Sequence, residues 1–124
     1  MKSIITIFFA LFISISNFAQ QGINYKALIK DSSGNVIANQ SITILFSILK
    51  GVAQTTIYQE QHTPNTDSNG LVILTIGQGN VMGGVFESID WANDNYFLNV
   101  QINTGSGFRY GYYRVYGSTL FQIR

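Results

Sequence analysis

From Gly22 onward apolar and polar residues alternate with a period of two, interrupted by clusters of turn-forming residues. Ile23, Tyr25, Ala27 and Ile29 alternate with Asn24, Lys26 and Lys30, with Leu28 as the exception. A half-buried strand demands this pattern, because successive side chains face opposite sides. Asp31-Ser32-Ser33-Gly34-Asn35 follows as a turn, in which Gly34 supplies positive φ and Asp31 accepts from its own downstream backbone. Ser41 to Leu49 is almost continuously apolar and β-branched, which predicts a central strand covered on both faces. Thr56 to His62 is a shorter and more polar strand nearer an edge, and the chain's only Pro follows it at position 64. Asp67-Ser68-Asn69-Gly70 is a second tight turn, leading into the buried strand Leu71 to Ile76.

Gly77 to Gly84 reads as a flexible, glycine-rich connection, and Phe86 to Asn93 is the single helical candidate. Asn95 to Ile102 returns to strand with Tyr96, Leu98, Val100 and Ile102 on one face. Asn103 to Gly107 is a hairpin-type loop, and Phe108 to Tyr116 and Ser118 to Ile123 are the last strands. About seven short strands with almost no helix predict an all-β, antiparallel sandwich of the immunoglobulin-like or prealbumin-like kind. The absence of Cys excludes a disulfide-pinned immunoglobulin domain.

The segment before Gly22 has a different pattern. Met1-Lys2-Ser3 gives a positive start, Ile4 to Ile15 is an apolar run broken only by Thr6 and Ser14, and Ser16-Asn17-Phe18-Ala19 ends in a small residue. This is the layout of a secretory signal peptide, residues 1–19, cleaved between Ala19 and Gln20, although Asn17 stands where a small residue is usual. An uncleaved anchor is the competing reading, and it would need about 20 apolar residues where this run has about 12. Without Cys there is no lipid attachment site. The expectation is a domain over residues 20–124, exported through the inner membrane and then secreted or held at the cell surface. Its only dealing with the membrane is through the signal peptide.

Composition narrows the function classes. A chain of 124 residues that is 46% hydrophobic and 10% charged can build one core and is too apolar to stay disordered. Seven Lys and Arg oppose six Asp and Glu, and Lys2 lies in the leader. The remaining domain is close to neutral, which argues against nucleic acid or anionic lipid as a partner.

The residues that could carry chemistry each have a simpler account. His62 is the only imidazole, so no His cluster can bind zinc, and its partner Glu60 shares its strand face by period two. A solvated polar strand end is the preferred reading of that pair. Asp67 and Asn69 sit in a DxNG turn, but the twelfth position of a calcium loop would be Gln78, so turn chemistry is preferred. Gly77, Gly79, Gly83 and Gly84 lack the Lys and the helix of a phosphate loop, and read as a mobile inter-strand loop. Glu87, Asp90 and Asp94 lie near Trp91, which suggests either carboxylates of glycoside hydrolysis beside a stacking ring or a core plug with solvated acids. Tyr110, Tyr112, Tyr113 and Tyr116, with Arg109 and Arg114, could stack on bases or form a protein contact surface, and export with near-zero charge disfavours the first.

The runs QGINYKALIKDSSGNVIANQSITILFSIL, TDSNGLVILTIGQG and FESIDWANDNYFLNVQI together resemble the amino-terminal domain of many secreted proteins of Bacteroidetes-type bacteria. Those proteins open with a QGINYQA-like strand after the signal peptide. The resemblance runs from Gln21 to about Gly117. It implies a structural or binding module that commonly precedes collagen-like, tail-fibre-like or adhesion modules, with no catalytic or metal residue to carry over. The family usually continues from a GTTQLLSVPYA-like strand, whereas here Gly117-Ser118-Thr119-Leu120 begins that strand and Arg124 is the last residue. The chain is therefore read as either a stand-alone copy or a truncated one.

These readings converge on a non-enzymatic structural or interaction module without cofactor or metal, whose partner is an unknown protein or a surface glycan. The alternative is a carbohydrate-binding or minimal glycan-acting domain using Trp91 and the nearby acids. The candidate ligand contacts are Trp91, Tyr96, Tyr110 and Tyr112.

Overall fold

The protein is described here from a computed structural model covering residues 22–105 in full and the strands Phe108–Tyr116 and Thr119–Gln122 by their backbone. The leader at 1–19 and its cleavage site lie outside the described residues. Among the described residues the chain forms β1 (Ile23–Leu28), β2 (Thr43–Lys50), β3 (Thr55–His62), β4 (Leu71–Ile76), β5 (Asn80–Gly83), β6 (Tyr96–Asn103), β7 (Phe108–Tyr116) and β8 (Thr119–Gln122). All pairings are antiparallel, in a two-stranded sheet β1-β4 and a six-stranded sheet of order β5-β3-β2-β6-β7-β8. The two sheets pack together as an all-β sandwich, with one strand more than the pattern predicts.

Alternation accounts for the small sheet. Ile23, Tyr25 and Ile29 face the core, while Asn24, Lys26 and the exceptional Leu28 face away. Against them β4 sets Val72 and Ile76, in a register running from Ile23↔Ile76 to Leu28↔Leu71. The opposite layer supplies Ile44, Phe46 and Ile48 from β2, Tyr58 from β3, and Leu98 and Val100 from β6. Each such buried side chain is worth roughly 1.5–3 kcal/mol of transfer free energy. Tyr25 meets Phe46 edge-on across the layers at 4.9 Å, a favoured geometry for aromatic quadrupoles.

Two turns of the same design stand at one end of the small sheet, one after β1 and one before β4. In each, an Asp Oδ1 accepts the backbone N–H groups two and four residues on: Ser33 and Asn35 for Asp31, Asn69 and Leu71 for Asp67. In each, the glycine N–H also donates to the Asp carbonyl, at 3.1 Å for Gly34 and 3.0 Å for Gly70. Gly70 has φ +79° and lies against Val36, so a side chain there would meet both strain and collision.

β2 is central, between β3 and β6, and is covered on both faces as expected: Ile44, Phe46 and Ile48 are fully enclosed on the core side, and Ser47 and Leu49 are buried on the other. Ser47 there accepts a hydrogen bond from Gln59 Nε2 at 2.9 Å. β3 lies one strand in from the edge, with β5 paired outside it, and so nearer the edge than β2. One expectation changes. The helix expected over Phe86 to Asn93 shrinks to one 3-10 turn, Phe86–Ser88, since Ile89 is extended at φ −73°, ψ 119°. That backbone turn returns Ile89 and Trp91 to the core, which a continuous helix would have carried past it.

Candidate functional site

Period two puts Tyr58, Glu60 and His62 on one face of β3, and that face is the core side. Glu60 is fully enclosed. An isolated buried carboxylate is costly, so its partners decide whether it can be tolerated. Tyr58 Oη donates to Glu60 Oε2 at 2.5 Å, the Gly77 amide reaches both oxygens at 2.9 Å, and the Gly79 amide reaches Oε2 at 3.3 Å. His62 Nε2 lies 2.6 Å from Oε1 and forms an ion pair with it when the imidazole is protonated. The imidazole stands edge-on to Phe46 at 5.4 Å, with 12% of its side chain exposed.

The solvated strand end read from Glu60 and His62 is therefore wrong. The polarity of the two side chains pointed outward, whereas their shared face with Tyr58 pointed inward, and the donors waiting inside decide the matter. The mobile loop expected at Gly77 to Gly84 is also wrong. Gly77 and Gly79 fasten to Glu60, Asn80–Gly83 pairs with β3, and Gly84, just after β5, has φ +80° and stands where a Cβ would run into the Ile57 carbonyl oxygen. A Cβ on Gly79 would strike the His62 ring. Gly77 and Gly79 do cradle an oxyanion, and it is the chain's own.

Burial, the hydrogen bond to Glu60, and the negative charges of Glu60 and Glu87 all push the Tyr58 hydroxyl above the ordinary tyrosine range. A raised folded value means that the protonated hydroxyl stabilises the fold fully below about pH 10, the unfolded value. That stability drains away as pH climbs from there toward the folded value. The denaturation midpoint of the wild type is expected to fall more steeply between pH 9 and 11 than that of Tyr58→Phe, followed by urea titration; parallel slopes would show that Tyr58 is not the sensitive group.

A second cluster closes one end of the sandwich. Tyr58, Phe86, Trp91 and Tyr96 form a chain of edge contacts with centroid separations of 5.3, 5.8 and 5.1 Å. Trp91 is half-buried against the core, and Tyr96 is buried with its hydroxyl donating to the Asp90 carbonyl at 2.8 Å. Of the nearby acids, Asp90 accepts from the Ala92 amide and Asn93 Nδ2, and Asp94 accepts from the Asn95 amide. Glu87 is exposed. Trp91 and Tyr96 are thus brought together, whereas Tyr110 and Tyr112 lie on β7 opposite Gln101 and Asn99, with side chains outside the described residues.

Asp67 and Asn69 behave as turn chemistry requires, with the Asp67 carboxylate occupied by backbone amides. Among the described residues no three His, Cys, Asp or Glu gather as metal ligands, and no helix is long and apolar enough to cross a membrane. Open clefts mark the surface among the described residues. One of about 360 Å³ lies beside Leu28, Lys30 and Ile102; another of about 370 Å³ lies between Lys50, Ile57, Val85, Ser88, Ile89 and Tyr96.

Sequence reasoning missed the Glu60 cluster: period two places Tyr58, Glu60 and His62 on one face, but the Gly77 and Gly79 donors lie seventeen and nineteen residues further along. Comparison with protein-family models, with curated proteins and with solved structures finds no match.

Proposed function

We propose that the chain acts as an exported, non-catalytic β-sandwich module that supports structure or makes contacts at the cell surface or outside the cell. The observation that carries this reading is the state of Glu60. Its carboxylate could orient an imidazole for general-base work, yet the same two oxygens tie β3 to the β4–β5 connection through Gly77 and Gly79. The residues richest in chemistry serve as a fastening between sheets. The aromatic set has a similar role, since Trp91 and Tyr96 pack against each other and close the core. Among the described residues every buried side-chain nitrogen and oxygen has a hydrogen-bond partner, so the interior holds no polar group waiting for a substrate.

The alternative is glycan binding through Trp91, which keeps part of its ring exposed. A polysaccharide pull-down combined with an assay for released reducing sugar separates the two. The expected result is neither retention nor release, with Trp91→Ala indistinguishable from wild type. Retention abolished by Trp91→Ala, or sugar release by the wild type, would establish the alternative instead.

A further inference from the structure

We infer that the protein pairs with a second copy of itself through the free edge of β4, about a two-fold axis at Ile73. This goes beyond the reading above by naming a surface and its occupant. Among the described residues β4 has one neighbouring strand, β1, so its other edge borders none. The backbone shows which residues that edge presents. The Leu71 amide donates to Asp67 Oδ1 and the Leu71 carbonyl accepts from the Asp67 amide, while the Thr75 carbonyl accepts from the Gln78 amide. Those groups therefore point away from β1, and by period two so do the groups of Ile73 between them. The turns at either end occupy Leu71 and the Thr75 carbonyl, whereas the amide and carbonyl of Ile73 meet no partner among the described residues.

The side chains agree with the backbone. Ile73 is 73% exposed, more than any other large apolar residue in the described strands, and Leu71 and Thr75 share its face half-buried. Natural sheets guard a free edge with a charge, a Pro or a bulge. β4 has none of these: its register with β1 is unbroken, and from Leu71 to Phe86 the chain carries no charged residue and no Pro.

One residue's donor and acceptor, with the neighbouring groups occupied, is too little for a long added strand, and it is what a two-fold contact uses. Setting Ile73 opposite the partner's Ile73 makes a hydrogen-bonded antiparallel pair in which each gives one N–H and takes one, with Leu71 beside the partner's Thr75 on the same face. The two small sheets join in the order β1-β4-β4-β1, and neither β4 edge is left open. Charge does not oppose the pairing. Lys26 lies opposite Ile73 in the β1–β4 register, so the two Lys26 residues stand three strand spacings apart, about 14 Å. That exceeds the screening length of about 8 Å at physiological salt.

The test is sedimentation equilibrium of the purified protein over a range of concentrations. A monomer–dimer equilibrium with a dissociation constant of about 10–100 µM is expected, since two hydrogen bonds and a short apolar stripe make a small interface. Ile73→Lys should raise that constant at least about tenfold while leaving the thermal midpoint in place, because the side chain is exposed in the monomer. Val52→Lys, fully exposed between β2 and β3, should leave the constant unchanged. The chain has no Cys, so a single introduced one reports the register. With oxidised glutathione, Ile73→Cys should form a disulfide-linked dimer, because Cα atoms about 5.5 Å apart suit the bond, and Val52→Cys should stay unlinked. A protein monomeric up to about 300 µM, a dimer indifferent to Ile73→Lys, equal linkage at the two positions, or species that grow past two copies would each overturn the inference. The non-catalytic reading would still stand, since it fails only on turnover or on Trp91-dependent glycan retention.

Discussion

Glu60→Ala is expected to cost about 3–5 kcal/mol of folding free energy, the range for removing one partner of a buried charged network. The substitution leaves the Tyr58 hydroxyl and the Gly77 and Gly79 amides without their acceptor in the interior of β3 and its neighbours. Each stranded buried donor carries a desolvation penalty of about 1–3 kcal/mol, partly relieved if water enters. At roughly 4–8 °C per kcal/mol for a domain of this size, the thermal midpoint should fall by more than about 12 °C. Tyr58→Phe removes a single donor and should cost well under half as much. Hydrogen exchange gives an independent readout, because the β5 amides should lose protection before those of β2. A midpoint that moved by less than about 4 °C would mean that Glu60 is not the fastening between the sheets.

Phe46→Ala is the second large effect, about 3–5 kcal/mol. The side chain is wholly enclosed, at the crossing of the two layers, with Tyr25 edge-on at 4.9 Å and His62 at 5.4 Å. Deleting the ring removes its transfer free energy and leaves a cavity that two rigid sheets cannot close. Phe46→Leu keeps most of the volume and should cost about half as much. Urea denaturation reads both, and an alanine cost below about 1.5 kcal/mol would show that the layers collapse onto one another.

The fold was legible wherever alternation and turn chemistry agreed. Ile23, Tyr25 and Ile29 stand where the period of two places them, and Asp31 and Asp67 build the turns that their spacing to glycine required. β5 was not legible, because Asn80–Gly83 is four exposed residues framed by glycines and is a strand only through its pairing with β3. Glu60 was missed because burial of a charge depends on donors seventeen and nineteen residues away, which no local pattern reports. Trp91 packs against the end of the core, one of the two readings its sequence context offered, and an extended Ile89 rather than a helix brings it there.

The central pairing of the large sheet has a consequence in time. β2 joins its hairpin partner β3 early, but its other neighbour, β6, begins at Tyr96, and their register matches Thr43 with Asn103. β1 likewise waits for β4, with Ile23 opposite Ile76. Such distant pairings must overcome loop-closure entropy before they are rewarded, which places sandwiches of this kind on the order of milliseconds to seconds. Until β6 docks, the β2–β3 hairpin holds its apolar face open, so the rate of that distant pairing sets how long the face is at risk.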